Sequence, residues 1–587
     1  MNRLEVERCY QLCRDRLLAA RDEHGVWRGE LSSSALSTAV AAFALRRLGG
    51  AARLRAALQG EAWLVRTALA DGSWGDTPVS PGNLSTTLLA WAALRGSPRA
   101  GASTAVCGAE VWVHRQAGNL GPAAVAAAVL GHYGADRTFA VPILSQCALA
   151  GILGESPACW RLVPQLPFAL AVLPRATFGA LGLPVVSYAL PALIALGIVR
   201  QRCGPRAALN WQRPFKPAAL RRLARLQPAS GGFLEAVPLT GFVAMSLRAA
   251  GLGDQPTATR CAEFLLATQR ADGSWPIDSN LATWLSTLGT VSLGADLPTA
   301  DRPALRTWLL GQQFRQVHPY TGAAPGGWGW TDLPGAVPDA DDTAGALLAL
   351  PQLGSLADPE LRGAAEAGLT WLLGLANRDG GTPTFCRGWG RLPFDRSCPD
   401  ITAHVLRAAA VWGPAVSPAL RRRLDQAVPA ALRYLERSQR PDGSWLPLWF
   451  GNDAAPEHAN PVYGTARVLR ALSDLPQLAA APPAWVQRGL EALLARQADD
   501  GGWGGDQGVA PSVEETALAV TALLRWPATR AVATRGVEWL VLHPEEIERP
   551  RPIGLYFASL WYYEALYPLL FATEALREWL ASPDSPL

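Results

Sequence analysis

Three carboxylates occupy four positions of the stretch GAVPDADDTAGALLAL, residues 335–350, directly before an apolar run. They are Asp339, Asp341 and Asp342. An acidic turn in water is harmless, whereas carboxylates against an apolar wall are destabilising unless some of them stay protonated. Neighbouring carboxyl groups in a dry cavity cannot all ionise together, so one of them can stay neutral near pH 7. The pattern therefore favours a strong proton donor.

A histidine follows an aspartate by four residues in DITAH, where Asp400 precedes His404. On a helix these two side chains share one face and can form a hydrogen bond. A lone histidine near a helix start is more often a satisfied core residue. The spacing to Asp400 nevertheless favours a functional pair.

An internal repeat must position these groups. The pattern Q-x-x-x-G-x-W occurs at Gln269–Trp275, Gln439–Trp445 and Gln497–Trp503, and weaker copies occur elsewhere. An apolar segment that opens with small residues, acidic residues or threonine follows most copies, as in DDTAGALLAL and YGTARVLRAL. Such residues suit helix N-termini because their oxygens accept the unpaired first-turn N–H groups. Each unit is therefore predicted to consist of a loop, an inner helix and an outer helix. Convincing alternating strand patterns are absent from the sequence.

Helix pairs with a period of about 40 to 60 residues build either an open solenoid or a closed α/α barrel. Closure is favoured here because the helices after the loops are apolar along one side. We predict an all-α fold of two α/α barrels. The smaller barrel (31–275) has an apolar membrane-facing segment, and the catalytic barrel (276–587) carries the acidic motif. An N-terminal segment (1–30) packs on the catalytic barrel. The loop tryptophans are predicted to be structural, with rings stacked on the next repeat; they are Trp74, Trp275, Trp445 and Trp503.

Composition limits the classes of function. The chain has 587 residues, of which 49% are hydrophobic and 17% charged, which is enough for two large cores. A net charge of +4 with scattered basic residues does not indicate nucleic acid as a partner.

The nine cysteines form no C-x-x-C pair and are expected to be reduced. Residues 1–16 are charged and lack an apolar run, so no signal peptide is expected and the chain should start in the cytoplasm.

Ala176–Val199 is 24 residues long and carries no charge. This length could span a bilayer, which takes about 20 apolar residues. Pro184 and Pro191 would each remove a helix hydrogen bond, however, and no second span is evident. A buried helix pair and an apolar surface that enters one leaflet are the other interpretations. We expect contact with a membrane.

The motifs together resemble the squalene-hopene cyclase family of triterpene cyclases over nearly the whole chain. PGGWGW precedes PDADDTA, DITAHVL follows, and a DGSW loop precedes YGTA. Q-x-x-x-G-x-W is that family's repeat, and its D-x-D-D motif matches the three aspartates. The resemblance implies that Asp341 protonates a terminal alkene, with Asp339 and Asp342 tuning and orienting it. It further implies that His404 contacts the catalytic aspartate and that Asp400 orients the histidine.

A carbocation in a cavity that excludes water has no counter-ion, and aromatic faces can stabilise it by about 0.5–2 kcal/mol each. Trp330 is the best placed, in the loop just ahead of the acid. The resemblance implies seven aromatic lining residues, each of which could instead be an ordinary core residue: Trp330, Trp284, Phe385, Trp449, Tyr463, Tyr556 and Tyr563.

The chain also departs from the family pattern. Trp284-Leu285-Ser286 stands where the family has Trp-Asp-Thr, and GGTPTFCRGWG replaces a G-G-W-G pattern around Phe385. The segment 176–199 lacks an expected Trp-Ala-Arg. Product and substrate length are therefore less secure than the reaction class.

Three alternatives stay open. A class II cyclase of a shorter prenyl diphosphate (diterpene or sesquiterpene type) also uses D-x-D-D, but it calls for a basic cluster and magnesium; neither D-D-x-x-D nor D-D-x-x-E occurs. Zinc-dependent protein prenylation uses a similar barrel, but the seven histidines show no ligand spacing with a cysteine. A non-catalytic lipid-binding repeat scaffold would leave Asp341 dispensable.

The sequence thus predicts a cyclase of squalene or a related linear polyprene that gives a hopanoid-like product. It is expected to use no metal and no organic cofactor. We expect it at the cytoplasmic side of the cell membrane, as a peripheral or monotopic protein that takes its substrate from the bilayer. A possible homodimer is the expected protein partner.

Overall fold

The computed structural model describes residues 2–134, 137–174, 177, 190–205, 210–387, 394–556 and 560–582. Helices dominate this part of the chain, which confirms the all-α prediction. The inner helices start where the repeat places polar caps: the side chain of Asn83 accepts the N–H of Thr86 at 2.9 Å, and that of Ser512 accepts the N–H of Glu515 at 3.2 Å.

Five inner helices of the first half pack in a closed ring, each against the next and the last against the first. They are Ala35–Leu48, Leu84–Leu94, Arg137–Leu149, Leu190–Cys203 and Val237–Ala249. Further helices surround this ring, namely Ala51–Arg66, Ala102–Ala117, Pro122–Tyr133, Lys216–Leu226 and Pro256–Ala267. The ring is the smaller of two α/α barrels.

Six inner helices of the second half close a larger ring in the same way. They are Ala282–Leu293, Ala340–Leu353, Pro399–Trp412, Pro461–Ser473, Val513–Leu523 and Tyr567–Leu580. Outside them lie Arg302–Gly311, Pro359–Leu375, Pro418–Ser438, Pro476–Ala480, Ala484–Leu494 and Arg530–Leu542. The first helix of the chain, Arg3–Ala19, packs on Tyr567–Leu580 and so joins the outer layer of this barrel.

Short irregular elements connect the helices. Among the residues that the structure describes, two antiparallel strand pairs occur, Ser33–Ser34 with Trp275–Pro276 and Gly554–Tyr556 with Leu560–Tyr562. The second pair was not expected, because strands of three residues are too short to show an alternating pattern. The 3₁₀ turns are Pro157–Leu162, Phe168–Val172, Asn210–Phe215, Phe233–Glu235, Gly294–Asp296, Pro456–His458, Pro527–Thr529 and Pro544–Glu548.

The repeat loops tie each outer helix to the next one. Trp445 is fully buried, and its indole N–H donates to the carbonyl of Leu435, ten residues earlier, at 2.8 Å. The side-chain amide of Gln439 donates to the carbonyl of Gly443 at 2.9 Å and to that of Trp485, in the following outer helix, at 2.7 Å. The same indole bond to the residue ten positions earlier is made by Trp74, Trp275 and Trp503.

Glycines in the following outer helix make room for the tryptophan rings. A Cβ atom at Gly489 would lie 2.7 Å from the ring of Trp445, closer than real Cβ contacts allow. Two further pairs have the same 2.7 Å separation, Gly60 with Trp275 and Gly536 with Trp503. The rings of Trp275, Trp445 and Trp503 therefore pack against the next repeat, as the structural interpretation of these loops predicts.

The predicted membrane segment Ala176–Val199 lies largely outside the described residues. Its last ten residues begin the inner helix Leu190–Cys203, where Ile194, Leu196 and Val199 are buried in the smaller barrel. This part of the segment is therefore core. Among the helices that the structure describes, none is both long and apolar enough to cross a membrane.

Candidate active site

The acidic motif forms the first turn of the inner helix Ala340–Leu353. Asp339 is its N-cap, and the Asp339 carboxylate accepts the N–H of Asp342 at 2.9 Å. The N–H of Ala340 donates to the carbonyl of Thr384 at 2.9 Å, which ties this turn to the neighbouring loop. Unpaired N–H groups make a helix N-terminus partly positive, so carboxylates are favoured there. Capping therefore brings all three acids to the same end of one helix.

Asp339 and Asp342 form a buried carboxyl pair. They are 3% and 6% exposed, and in the described part of the chain neither Asp339 Oδ2 nor Asp342 Oδ1 has a hydrogen-bond partner. Burial raises the pKa of Asp339 to about 7. Burial, and then the charge of Asp339, raises the pKa of Asp342 well above its ordinary value. The pair therefore retains a proton at neutral pH.

Asp341 is in a different environment. Its Oδ1 lies 2.6 Å from Nδ1 of His404, and its side chain is 17% exposed, towards a cavity. Burial raises its pKa, but His404 and the guanidinium of Arg467 outweigh burial and hold the pKa below the ordinary value. We expected crowding to keep Asp341 neutral; instead its two neighbours are the neutral acids. Groups that favour the carboxylate make protonated Asp341 a stronger acid.

His404 can exchange a proton with Asp341 across this contact. The histidine is 4% exposed, and burial lowers its pKa to about 4, against the opposing effect of Asp341. Its ring is therefore neutral at pH 7. A neutral imidazole has two tautomers, so Nδ1 can donate to the carboxylate or accept the proton of the carboxylic acid.

The expected bond between Asp400 and His404 is not formed, although the structure describes both side chains. Asp400 instead accepts the thiol of Cys398 at 2.5 Å, while Nδ1 of His404 is taken by Asp341. Burial, and then the charge of Asp341, raises the pKa of Asp400 to about 6. Asp400 thus lies close to the acid but does not orient the histidine.

An aromatic cavity opens in front of Asp341. The centroids of Trp330 and Phe385 are 6.4 Å apart, and those of Phe385 and Trp449 are 6.2 Å apart, both with rings edge to face. The indole of Trp449 donates to the hydroxyl of Thr384 at 2.6 Å, which fixes its orientation. Besides the three aspartates, the described lining consists of Leu281, Trp284, Trp330, Thr384, Phe385, Trp449, Phe450, Leu555 and Tyr562.

Four predicted lining residues, Trp284, Trp330, Phe385 and Trp449, lie on the cavity. The other three do not contribute to the described wall. Tyr463 lies behind Phe450, with the two rings stacked at 4.1 Å. Tyr563 directly follows the strand Leu560–Tyr562, and its side chain points away from that of Tyr562 because successive side chains of an extended chain alternate. The side chain of Tyr556 lies outside the described structure.

Sequence reasoning missed Phe450, Tyr562 and Arg467. Phe450 follows Trp449 directly, and its ring reaches the wall through a loop whose path the sequence does not reveal. Only the register of the short strand Leu560–Tyr562 shows that Tyr562, and not Tyr563, lines the cavity. Arg467 follows Tyr463 by one helical turn in YGTAR, a spacing that does carry a signal.

Among the residues that the structure describes, no group of histidine, cysteine, aspartate and glutamate has the arrangement needed to hold a metal ion.

Two α/α barrels and an acid cluster at the head of an aromatic cavity are the arrangement that the resemblance to the squalene-hopene cyclase family implies. The models of the squalene-hopene cyclase N-terminal and C-terminal domains match residues 11–210 and 281–547. The chain belongs to the squalene-hopene cyclase family.

Relatives in this family carry different activities in their names. The chain is 26% identical to enfumafungin synthase of Hormonema carpetanum over 85% of its own length and 42% of the relative's. It is 29% identical to copalyl diphosphate synthase of Streptomyces cyslabdanicus, over 59% and 57%. It is 25% identical to squalene–hopene cyclase of Zymomonas mobilis, over 44% and 41%. The matches thus span about half the length of these curated relatives.

A solved structure shares the whole architecture. The ent-copalyl diphosphate synthase of Streptomyces platensis superposes with a TM-score of 0.61 at 20% identity, over 98% of this chain and 99% of that one. At this identity the likeness concerns the fold alone.

Asp339→Asn should gain stability relative to the wild type as pH rises. The pKa of Asp339 in the wild type is about 7 in the folded protein, against an ordinary 3.8. The free energy of unfolding of the wild type therefore falls progressively as pH rises from about 4 to 7. Asparagine caps a helix as well as aspartate does and carries no charge. The variant's relative stability should increase by up to about 4 kcal/mol across this range.

Thermal unfolding midpoints of both proteins between pH 4.5 and 8 measure this effect. The exposed Asp425 supplies a control, because Asp425→Asn removes a carboxylate that is not buried and should change the stability much less. A flat difference for Asp339→Asn would contradict the raised pKa.

Proposed function

We propose that the protein is a polyprene cyclase in which Asp341 protonates the terminal alkene of squalene or a closely related linear polyprene. One observation carries this proposal: the carboxyl of Asp341 meets an aromatic cavity, while its other side contacts His404 at 2.6 Å. An alkene is a very weak base, so its protonation needs an acid whose carboxylate is stabilised in advance. His404, Arg467 and the positive helix end supply that stabilisation.

Ring closure follows from the shape and chemistry of the wall. Protonation breaks the terminal double bond and leaves a tertiary cation, which the next alkene of a folded chain attacks. The faces of Trp330, Phe385 and Trp449 are positioned to stabilise the moving charge by cation–π attraction. Loss of a proton or addition of water ends the sequence to give a hopanoid-like product. The initiating protonation and the stabilisation of the cation use side chains of the protein alone.

The hydrocarbon substrate is favoured over a prenyl diphosphate by the lining. The described wall contains aromatic, aliphatic and acidic side chains and neither lysine nor arginine. Arg467 lies at the acid, and a diphosphate would lie at the end of the substrate remote from the protonated alkene. Burying a diphosphate without cationic partners would be strongly unfavourable.

Product analysis by gas chromatography and mass spectrometry tests the assignment. Wild-type protein in detergent should convert squalene to a cyclic product of equal mass or of that mass plus water. Asp341→Asn should lose at least about 10²–10⁴-fold in rate, since a general acid is removed. Asp425→Asn, an exposed aspartate on an outer helix, should keep the activity.

Separate incubation with geranylgeranyl diphosphate, followed by phosphatase treatment, distinguishes the substrates. Turnover of the diphosphate and not of squalene would contradict the hydrocarbon substrate while keeping the acid. Unchanged turnover of squalene by Asp341→Asn would contradict the acid.

We further propose that the smaller barrel contacts the membrane, at the cytoplasmic side, and that substrate enters there. Four apolar side chains on or directly after two adjoining 3₁₀ turns support this: Leu170, Leu173, Trp211 and Phe215 are 38–52% exposed. Exposed aromatic residues beside basic ones suit the interface between lipid and water, and Arg213 lies between the two rings in sequence.

Vesicle flotation tests this contact. The double variant Trp211→Ser/Phe215→Ser should float with lipid vesicles several-fold less than the wild type, because it loses two interfacial rings. Val79 and Leu542 are also exposed but lie elsewhere, so Val79→Ser/Leu542→Ser should float like the wild type. Equal loss in both double variants would contradict a local contact.

A further inference from the structure

The loop between Trp330 and Asp339 joins an aromatic wall residue of the cavity to the first of the three acids. At one end, the carbonyl of Trp330 accepts the N–H of Thr283 at 3.0 Å. At the other, the N–H of Asp339 donates to the carbonyl of Trp328 at 2.9 Å. Residues 331–338, the acid loop, form neither helix nor strand. A group that holds the acid loop therefore also holds the acid motif relative to the aromatic wall.

Glu235 holds the acid loop near its centre. It lies two residues before Val237–Ala249, an inner helix of the smaller barrel, and its side chain is 1% exposed. Its Oε1 accepts the N–H of Gly335 at 2.7 Å and the hydroxyl of Ser230 at 2.6 Å. Burial raises the pKa of Glu235, but these two bonds act in the opposite direction and favour the carboxylate. The bond to Gly335 joins the smaller barrel to the catalytic barrel.

Two unfavourable features accompany this contact. Leu234 and Glu235 have left-handed backbone conformations, with φ of 57° and 55°, which residues other than glycine rarely adopt. A Cβ atom at Gly335 would lie 2.5 Å from Oε1 of Glu235 and 2.8 Å from its backbone nitrogen, so only glycine permits the approach. Strained backbone persists where the surrounding structure fixes it, and it is concentrated at functional sites. A contact that only held two barrels together would require neither feature.

A second carboxylate of the smaller barrel holds another part of the cavity wall in the same way. Asp76 is 2% exposed, and its Oδ2 accepts the N–H of Trp561 at 2.9 Å. Its Oδ1 accepts the side-chain amide of Asn83 at 2.8 Å and the hydroxyl of Thr86, both in the smaller barrel. Trp561 directly precedes Tyr562, which lines the cavity. Each of the two carboxylates thus binds a backbone N–H of a segment that forms the wall.

The separation of these two parts of the wall matters because they face one cavity. Asp341, on the helix that follows the acid loop, and Tyr562 both line it. Ring closure requires a polyprene that is folded so that each alkene lies within reach of the preceding cation. In a site of this kind a displacement of about 1 Å can lower the rate by about 100-fold. The smaller barrel binds both segments and can therefore fix the distance between them.

We propose that Glu235 and Asp76 are positioning residues, through which the smaller barrel fixes the distance between the acid and the tyrosine-bearing part of the cavity wall. Neither carboxyl exchanges a proton with substrate; each acts through the backbone N–H that it accepts. This role rests on the proposed function, because the distance matters only if the cavity folds a polyprene. Loss of either contact leaves the acid in place but releases the substrate before the last ring has closed.

Replacement by an amide affects the two carboxylates differently. At Glu235 one oxygen accepts both bonds, so Glu235→Gln keeps them and Glu235→Ala removes them. At Asp76 both oxygens accept, so the amide nitrogen in Asp76→Asn leaves at least one donor without its acceptor. Glu61 is a matched control within the smaller barrel. It is 0% exposed and accepts the guanidinium of Arg46 at 2.6 Å and the hydroxyl of Ser97 at 2.5 Å.

Hydrogen exchange followed by mass spectrometry tests the positioning without substrate. In Glu235→Ala the acid loop should exchange about 10-fold faster or more than in the wild type, while residues 560–563 should not change. Asp76→Asn should show the reverse pattern. Glu235→Gln and Glu61→Ala should match the wild type in both segments. Unchanged exchange of the acid loop in Glu235→Ala would overturn the proposal, and so would an equal loss of protection in both segments.

Product analysis with saturating squalene, at a temperature at which every variant is folded, tests the consequence for cyclisation. Glu235→Ala and Asp76→Asn should be slower than the wild type by about 10-fold or more and should release partially cyclised products. Glu235→Gln and Glu61→Ala should keep the wild-type rate and products. Partially cyclised products from Glu61→Ala as well would show a general effect of stability and would overturn the proposal.

Two further outcomes keep the tests decisive. If Glu235→Ala fails to fold, Gly335→Ala breaks the same contact from the other side and decides in its place. Absence of any cyclic product from the wild type would contradict the proposed function itself. The hydrogen exchange of the acid loop would then still decide whether Glu235 holds it.

Discussion

A single hydrogen bond organises the site: the N–H of Asp342 donates to the carboxylate of Asp339 at 2.9 Å. It caps a helix whose first turn is buried, where an unpaired N–H group would be destabilising. The same bond draws Asp339 and Asp342 together, so that they hold a proton between them. Asp341, between them in sequence, is left to face the cavity and His404.

The closed barrels hold that helix end against an apolar wall. Inner helices converge on the cavity, and each Q-x-x-x-G-x-W loop binds its own outer helix through an indole N–H and the next through a glutamine amide. These bonds are distributed over the repeats and lie far from the chemistry. The cavity can therefore vary in its lining without loss of the frame, which fits relatives whose names denote different cyclic products.

Much of this organisation could be predicted from local sequence. The barrel class followed from a repeat, and the acid cluster and Trp330 followed from contiguous motifs, since these features depend on residues close in the chain. The contact between His404 and Asp341, 63 residues apart, was expected only from the family resemblance, because the spacing by itself pointed to Asp400, four residues away. The choice of Tyr562 over Tyr563 as a lining residue depends on the register of a three-residue strand, in which a shift of one position reverses the side chains that face inward.

The central claim is that a proton from Asp341 starts the reaction, and cyclisation in deuterium oxide tests it most directly. Carboxyl protons exchange with solvent, so the donor carries deuterium before it meets squalene. We predict one deuterium per product molecule in a methyl group of the first ring, located by mass spectrometry and carbon nuclear magnetic resonance. A cyclic product without deuterium at that position would contradict protonation as the initiating step.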